Sequence, residues 1–258
     1  MAMEQSNSAN LREQLRLKTP LLGTFVKMPS PNVIEILGAE GFDFIVIDSE
    51  HAPLGRAEID LMVLAARAAG VMPIVRVGDP SQILTALDCG AAGVMVPHVS
   101  SVADARAVAA ACRYAGGSRG FAGLSRASGW GARRATEHME EQDGSIVCIA
   151  MIEDVEAVDV VDDIAAVEGI HALFVGRGDL TALFSKDPDA AGKVAALSER
   201  VATAARNAGK PLLMLATSQA DAAKMREWGV TALLVSSDHG MLKSAAATAV
   251  RDYAAKVD

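Results

Sequence analysis

Gly41-Phe42-Asp43-Phe44-Ile45-Val46-Ile47-Asp48-Ser49-Glu50-His51 passes from an unbroken apolar run into two carboxylates and an imidazole. Four β-branched or aromatic residues, Phe44 to Ile47, bounded by polar ones, predict a strand buried on both faces. Strands of that kind belong to parallel sheets covered by helices, where chemistry sits at the strands' C-terminal ends. Asp48, Glu50 and His51 therefore stand where catalytic groups are expected; the alternative is a solvated acidic turn with a surface His. Ala52-Pro53 leads directly into a helical pattern and leaves little room for an idle loop.

Outward from this strand, strand and helix signals alternate along the whole chain. Strands are expected at 21–26, 44–48, 72–76, 93–96, 146–152, 171–175, 212–215 and 232–235. Helices are expected at 31–39, 56–69, 80–88, 102–113, 155–163, 189–208, 219–228 and 238–256. Gly41, Gly70, Gly90, Gly209 and Gly229 end five of these units. A short helix at 11–17 follows a polar tail, and 116–131 reads as an irregular Gly-, Ser- and Arg-rich stretch. Eight successive units favour a closed (β/α)8 barrel over an open sheet, in one domain over 21–258 behind a tail and short helix at 1–20. The chain has 258 residues, near the ~250 that such a barrel needs. No Gly-x-Gly-x-x-Gly follows the first strand, which removes the dinucleotide fingerprint.

Composition narrows the function classes. A 51% hydrophobic, 22% charged chain can bury a large core. A formal net charge of −8 argues against nucleic-acid binding. No apolar run approaches a membrane span, and the first ten residues carry no signal-peptide core. Cys89, Cys112 and Cys148 are an odd number at wide spacing in apolar surroundings, read as buried thiols in a reducing cytoplasm.

A barrel gathers its strand ends into one mouth, whose contents follow from the sequence. Lys27 follows the first strand, Arg76 ends the third, Pro97-His98 the fourth and Glu153 the fifth, and Asp179 follows the sixth through Gly176-Arg177-Gly178. Glu153 and Asp179, on neighbouring strands without a Cys pair, suit a hard divalent ion such as Mg²⁺ or Mn²⁺. Each could equally cap the helix after it. Arg76 offers a fork for a carboxylate or an enolate oxygen, or else an ion pair with Asp48 or Glu50. His51 beside Asp48 reads as an acid–base pair in which the carboxylate fixes the ring. Gly176 and Gly178 would let backbone N–H groups approach an anionic ligand. Lys27 is the one lysine placed for Schiff-base chemistry, and otherwise a solvent-facing loop residue. His98 lines the mouth or is a satisfied loop residue. Arg119 and Arg126 are expected to pair with surface acids, with a lid role as the alternative.

These residues resemble a known family. Gly41-Phe42-Asp43 with Asp48-Ser49-Glu50-His51-Ala52-Pro53, Val75-Arg76, Arg119-Gly120, Ser125-Arg126-Ala127-Ser128, Ile152-Glu153, Phe174-Val175-Gly176 with Asp179-Leu180, and Ser237-Asp238 are similar to the motifs of the HpcH/HpaI family of class II pyruvate aldolases. The resemblance runs from about Leu22 to Met241. It implies that Glu153 and Asp179 hold a divalent metal (Mg²⁺, Mn²⁺ or Co²⁺) on which a 2-oxo acid is chelated. It implies that Arg76 neutralises the enolate and developing alkoxide, and that His51, with a carboxylate partner, takes the proton of the C4 hydroxyl. Asp48 is the nearest such partner; Asp88 lies at the wrong end of its own barrel and could serve only from a neighbouring subunit. Gly178 and Asp179 would contact the 2-oxo acid, and Phe25 and Leu215 would line the aldehyde pocket. A trimer-based, commonly hexameric assembly and a place in aromatic-compound catabolism follow from the same resemblance. Met151 stands where a Gln is familiar, Arg177 where Pro is common, and Gly129 interrupts a familiar Ser-Arg-Trp. These departures bear on the donor, pyruvate or hydroxypyruvate, and on the acceptor. A malyl- or citramalyl-CoA-type lyase and a non-catalytic 2-oxo-acid-binding barrel are the other readings.

Overall fold

Each expected strand forms, and each pairs in parallel with its neighbours in sequence until the last returns to the first, closing an eight-stranded barrel. The computed structural model describes residues 10–17 and 21–254. Residues 1–9, 18–20 and 255–258 lie outside the described residues, and with them the expected tail and the last two positions, 255–256, of the expected final helix. The strands are β1 Leu21–Val26, β2 Phe44–Asp48, β3 Met72–Arg76, β4 Gly93–Val96, β5 Val147–Ile152, β6 Ala172–Val175, β7 Leu212–Ala216 and β8 Ala232–Ser237. The helices are α1 Leu11–Arg16, α2 Pro31–Ala39, α3 Arg56–Ala68, α4 Ile83–Asp88, α5 Val102–Ala111, α6 Ala135–Ser145, α7 Val155–Asp159, α8 Val161–Ala166, α9 Arg177–Leu183, α10 Ala190–Asn207, α11 Gln219–Glu227 and α12 Asp238–Tyr253.

The period of two along each strand sorts its side chains between two cores. Phe44 and Val46 of β2 point inward with Ile74, Met95, Ile149, Phe174 and Leu234. Ile45 and Ile47 point outward to meet Ile34, Ile59, Met62 and Val63 of the covering helices. Phe44 occupies the space that a side chain at residue 23 would need: a Cβ on Gly23 would stand 2.3 Å from its ring. The five predicted stop glycines all have positive φ.

Three helical segments depart from expectation. The run 155–163 is two helices, α7 and α8, with Val160 non-helical between them. The polar stretch before β5 forms α6, whose weak apolar periodicity hides it in the sequence. The Gly-Arg-Gly turn after β6 is not a free loop but the start of α9. The short helix α1 has a structural role: Leu11 and Leu15 are almost fully buried and join the interior core, closing the barrel's N-terminal end. Burying two leucines stabilises the closed end by about 1.5–3 kcal/mol each. At the other extreme of the chain α12 buries only Asp238, leaving Leu242, Val250 and Tyr253 exposed.

Candidate active site

The parallel register places Asp48 beside Arg76, the last residues of β2 and β3. Nε and Nη2 of Arg76 donate to the two carboxylate oxygens of Asp48 at 2.9 and 2.6 Å, both side chains being buried. Lys27 Nζ lies 3.2 Å from the same carboxylate, so the lysine is held by a buried charge rather than facing solvent. Burial opposes ionisation of Asp48, but Arg76, the backbone N–H of His51 and Lys27 together hold its pKa below the ordinary range. Nη1 of Arg76 has no partner among the described residues, and the guanidinium stacks on Phe25 at 4.8 Å.

The expected Asp48–His51 ring pair is not what forms. Asp48 accepts the backbone N–H of His51 at 3.1 Å, while the ring Nε2 lies 3.6 Å from Glu50 Oε2. The cause is register: Asp48 is still in the strand and is taken by Arg76, and His51 is three residues into a loop. Glu50 is the carboxylate that the sequence reading undervalued. It lies 3.3 Å from Arg76 Nε and 4.0 Å from His98 Nε2, linking three groups. His98 belongs to the mouth as well. Its backbone N–H donates to Glu153 Oε1 at 2.8 Å, and its ring lies 3.3 Å from Asp154.

Glu153 and, away from the mouth, Asp88 are the two carboxylates among the described residues that keep a buried oxygen without a hydrogen-bond partner. The carboxyl of Glu153 is buried, and its Oε2 is the unpartnered atom. Burial foremost, reinforced by the charges of Asp179 and Glu50, pushes its pKa up to about 7 against the opposing pull of His98. A buried carboxylate with an orphaned oxygen beside a second carboxylate fits a cation. The donors are all hard oxygens, as Mg²⁺ or Mn²⁺ prefers, and a pair of carboxylates leaves positions for substrate and water. Among the described residues no three His, Cys, Asp or Glu side chains gather to enclose an ion by themselves. Gly176 is demanded by this arrangement, since a Cβ there would stand 2.5 Å from Glu153 Oε2. Gly178 is under no such pressure, because a Cβ there would meet open space.

In front of these groups lies a cavity of about 860 Å³. Phe25, Lys27, His51, Arg76, Gly178, Asp179 and Leu215 all line it, as does Met151, whereas Asp48 and Glu153 lie behind its wall. Asp88 is not part of this site. It ends α4, with its carboxylate 3.6 Å from Arg119, and burial raises its pKa. Arg119 is correspondingly buried, stacked on Tyr114 at 4.5 Å, rather than paired with a surface acid; Arg126 does pair with the half-exposed Asp60 at 2.7 Å. Arg177 stands over the cavity rim, donating to both oxygens of Asp221 and to the carbonyl of Leu215. Arg177 thereby ties α9, and Asp179 with it, to the end of β7.

A closed barrel with carboxylates, imidazoles and a guanidinium gathered at its C-terminal mouth has the layout of a barrel enzyme, and its family is one of aldolases and lyases. The chain belongs to the HpcH/HpaI aldolase/citrate lyase family, whose model matches residues 21–245. It is 34% identical over 239 residues to the 5-keto-4-deoxy-D-glucarate aldolase of Enterobacter sp. (strain 638), spanning 90% of this chain and 91% of that protein. The 2-dehydro-3,6-dideoxy-6-sulfogluconate aldolase of Pseudomonas putida is 38% identical over 172 residues, 66% of this chain and 67% of that protein. Among solved structures, an HpcH/HpaI aldolase/citrate lyase family protein from Burkholderia cenocepacia J2315 superposes with a TM-score of 0.87 at 31% identity, covering 95% of this chain and 99% of that one.

Proposed function

We propose that this enzyme is a divalent-metal-dependent aldolase that reversibly cleaves a 4-hydroxy-2-oxo acid to pyruvate, or hydroxypyruvate, and an aldehyde. The observation that carries the reading is Glu153, a buried carboxylate with an unsatisfied oxygen, behind the cavity wall that Gly176 and Asp179 form and within reach of Asp179's charge. The two aldolase relatives support the same reaction type. Glu153 and Asp179 would hold the ion, which when bound supplies Lewis-acid stabilisation of the enolate.

The chain's own residues do the rest. The 2-oxo acid lies against Gly178 and Asp179 at the start of α9, where backbone N–H groups favour an anion. His51, its ring beside Glu50, takes the proton of the C4 hydroxyl through a water. The C3–C4 bond breaks as the C4–oxygen becomes the aldehyde carbonyl, and the bonding pair is delocalised onto the 2-oxo oxygen. Arg76, oriented by Asp48 and with Nη1 to spare, stabilises the negative charge as it develops. Protonation of C3 then gives pyruvate. Phe25 and Leu215 line the space into which the aldehyde leaves.

We also propose a homo-oligomer built on trimers, supported by the apolar side chains that α12 leaves in solvent, and a reducing, cytoplasmic setting, supported by three buried free thiols. No described helix is long and apolar enough to cross a membrane. The test of function is pyruvate release from a 4-hydroxy-2-oxo acid by metal-stripped protein before and after Mg²⁺ or Mn²⁺ is added. Activity that appears only with metal is expected. Activity without metal would overturn the reading and point to Lys27.

A further inference from the structure

A second cavity, about 130 Å³, lies at the opposite end of the barrel. Its walls come from α1 and from the segments that enter β5, β6 and β7: Val147 opens β5, His171 precedes β6, and Lys210 with Pro211 precedes β7. Arg12 and Arg16, four residues apart on α1, present adjacent charges to it. Three cationic side chains therefore line a small recess in a chain whose net charge is −8. The one acidic residue in the lining, Glu168, is 87% exposed at its side chain and engaged by Arg113 at 2.8 Å.

The cations are not neutralised by one another's partners. Arg12 Nη1 donates to the carbonyls of Asp143 and Gly144 at the end of α6, and Lys210 Nζ to the carbonyl of Ile170 at 2.6 Å. These bonds aim the charges without cancelling them. Lys210 uses one of its three protons in this way, and Arg16 has no partner among the described residues. His171 Nδ1 accepts the backbone N–H of Cys148 at 3.0 Å, which places the proton of the neutral ring on Nε2 as a further donor. The crowding registers in three of the groups: after burial, neighbouring cations lower Arg12 and hold His171 down at about 3, and they lower Lys210 against the opposing charge of Glu168.

We propose that this recess binds a compact dianionic oxyanion of the inorganic phosphate class, with Arg16, Lys210 and His171 Nε2–H as donors and Arg12 as a flanking charge. Size supports the choice. At about 30 Å³ per water the recess holds roughly four waters' volume, which suits a tetrahedral oxyanion. A free anion and the terminal phosphoryl group of a small monoester share this chemistry. Either would cross-link α1 to the loops before β6 and β7, so binding stabilises the fold in proportion to occupancy.

Thermal unfolding of the full chain with inorganic phosphate, with glycerol 3-phosphate, and with sodium chloride at equal ionic strength tests this. The expected result is a saturable rise in Tm with phosphate over chloride, a larger response to one phosphate source identifying the physiological form. Arg16→Gln and Lys210→Gln should each weaken the apparent affinity about tenfold or more, as loss of a charge-assisted hydrogen bond does, with lyase activity unchanged. Should Lys210→Gln not fold, Arg16→Gln, on the exposed face of α1, carries the test. The proposal is overturned if neither phosphate source raises Tm over chloride, or if the rise is undiminished in the variants, which would put the anion at Arg76 in the mouth.

Discussion

At the C-terminal ends of the strands a buried carboxylate, Glu153, is left with an unpartnered oxygen; at the N-terminal ends Arg12, Arg16 and Lys210 gather around one exposed carboxylate, Glu168, which Arg113 engages. Both ends hold charge that the protein itself leaves uncompensated, yet they are built differently. The mouth stays open over a cavity of about 860 Å³, whereas Leu11 and Leu15 stop the other end with apolar bulk. In barrels of this type the first end is where chemistry is done and the second is where stability is gathered. Substitutions should therefore separate the two properties according to the end they touch.

The sharpest separation is expected at Glu153. Glu153→Gln should lower metal-stimulated kcat by about 10³-fold, the scale of losing several kcal/mol of charge stabilisation. Its Tm should stay level or rise, because a buried, unsatisfied charge is removed. A fall in both would break the division. Arg76 lies on the boundary. Arg76→Met takes from buried Asp48 its two-pronged partner and leaves it only Lys27 and the His51 N–H, so up to about 3–5 kcal/mol of stability should disappear together with activity. Adding Asp48→Asn should restore much of the stability, read by denaturant midpoint, and none of the turnover. At the closed end Leu15→Ala should cost about 2–5 kcal/mol while kcat/KM at permissive temperature holds.

The effect that is smallest at neutral pH, and grows only in acid, belongs to His171. His171 titrates at about 3 when folded against an ordinary 6.5, because burial and the nearby Arg12, Lys210, Arg113 and Arg16 resist its protonation. The unfolded chain then binds a proton that the folded chain refuses, so this contribution is complete above about 6.5 and is lost as pH falls toward 3. His171→Asn should flatten that part of the stability profile. An unchanged slope would remove the basic cluster from the account.

Much of the mouth was legible because charged groups at strand ends interrupt apolar runs: Asp48 after Ile47, Arg76 after Val75 and Glu153 after Ile152 stand out by contrast alone. Pairing was less legible. Whether Asp48 meets Arg76 or His51 is decided by cross-strand register, and one residue of slip reverses which face a side chain takes. Glu50 and His98 were visible as candidates, but their mutual approach depends on two loops and on a positive φ at His98 that no local pattern announces. α9 was hidden because two glycines in five residues read as a turn. The basic recess was missed for a different reason. Its members stand at 12, 16, 171 and 210, and only closure of the ring brings them together.

Asp238 offers a last lesson. One of its oxygens accepts the backbone N–H groups of both Lys27 and Met28, at 2.9 and 2.7 Å, across the seam where β8 meets β1. The first and final units of the chain are thus stitched at the rim by the same loop that delivers Lys27 to Asp48. A folding chain that has laid down seven strands still lacks that stitch, so turnover becomes a reporter of ring closure. Followed in real time during refolding, the return of activity would time the moment at which the circle is completed.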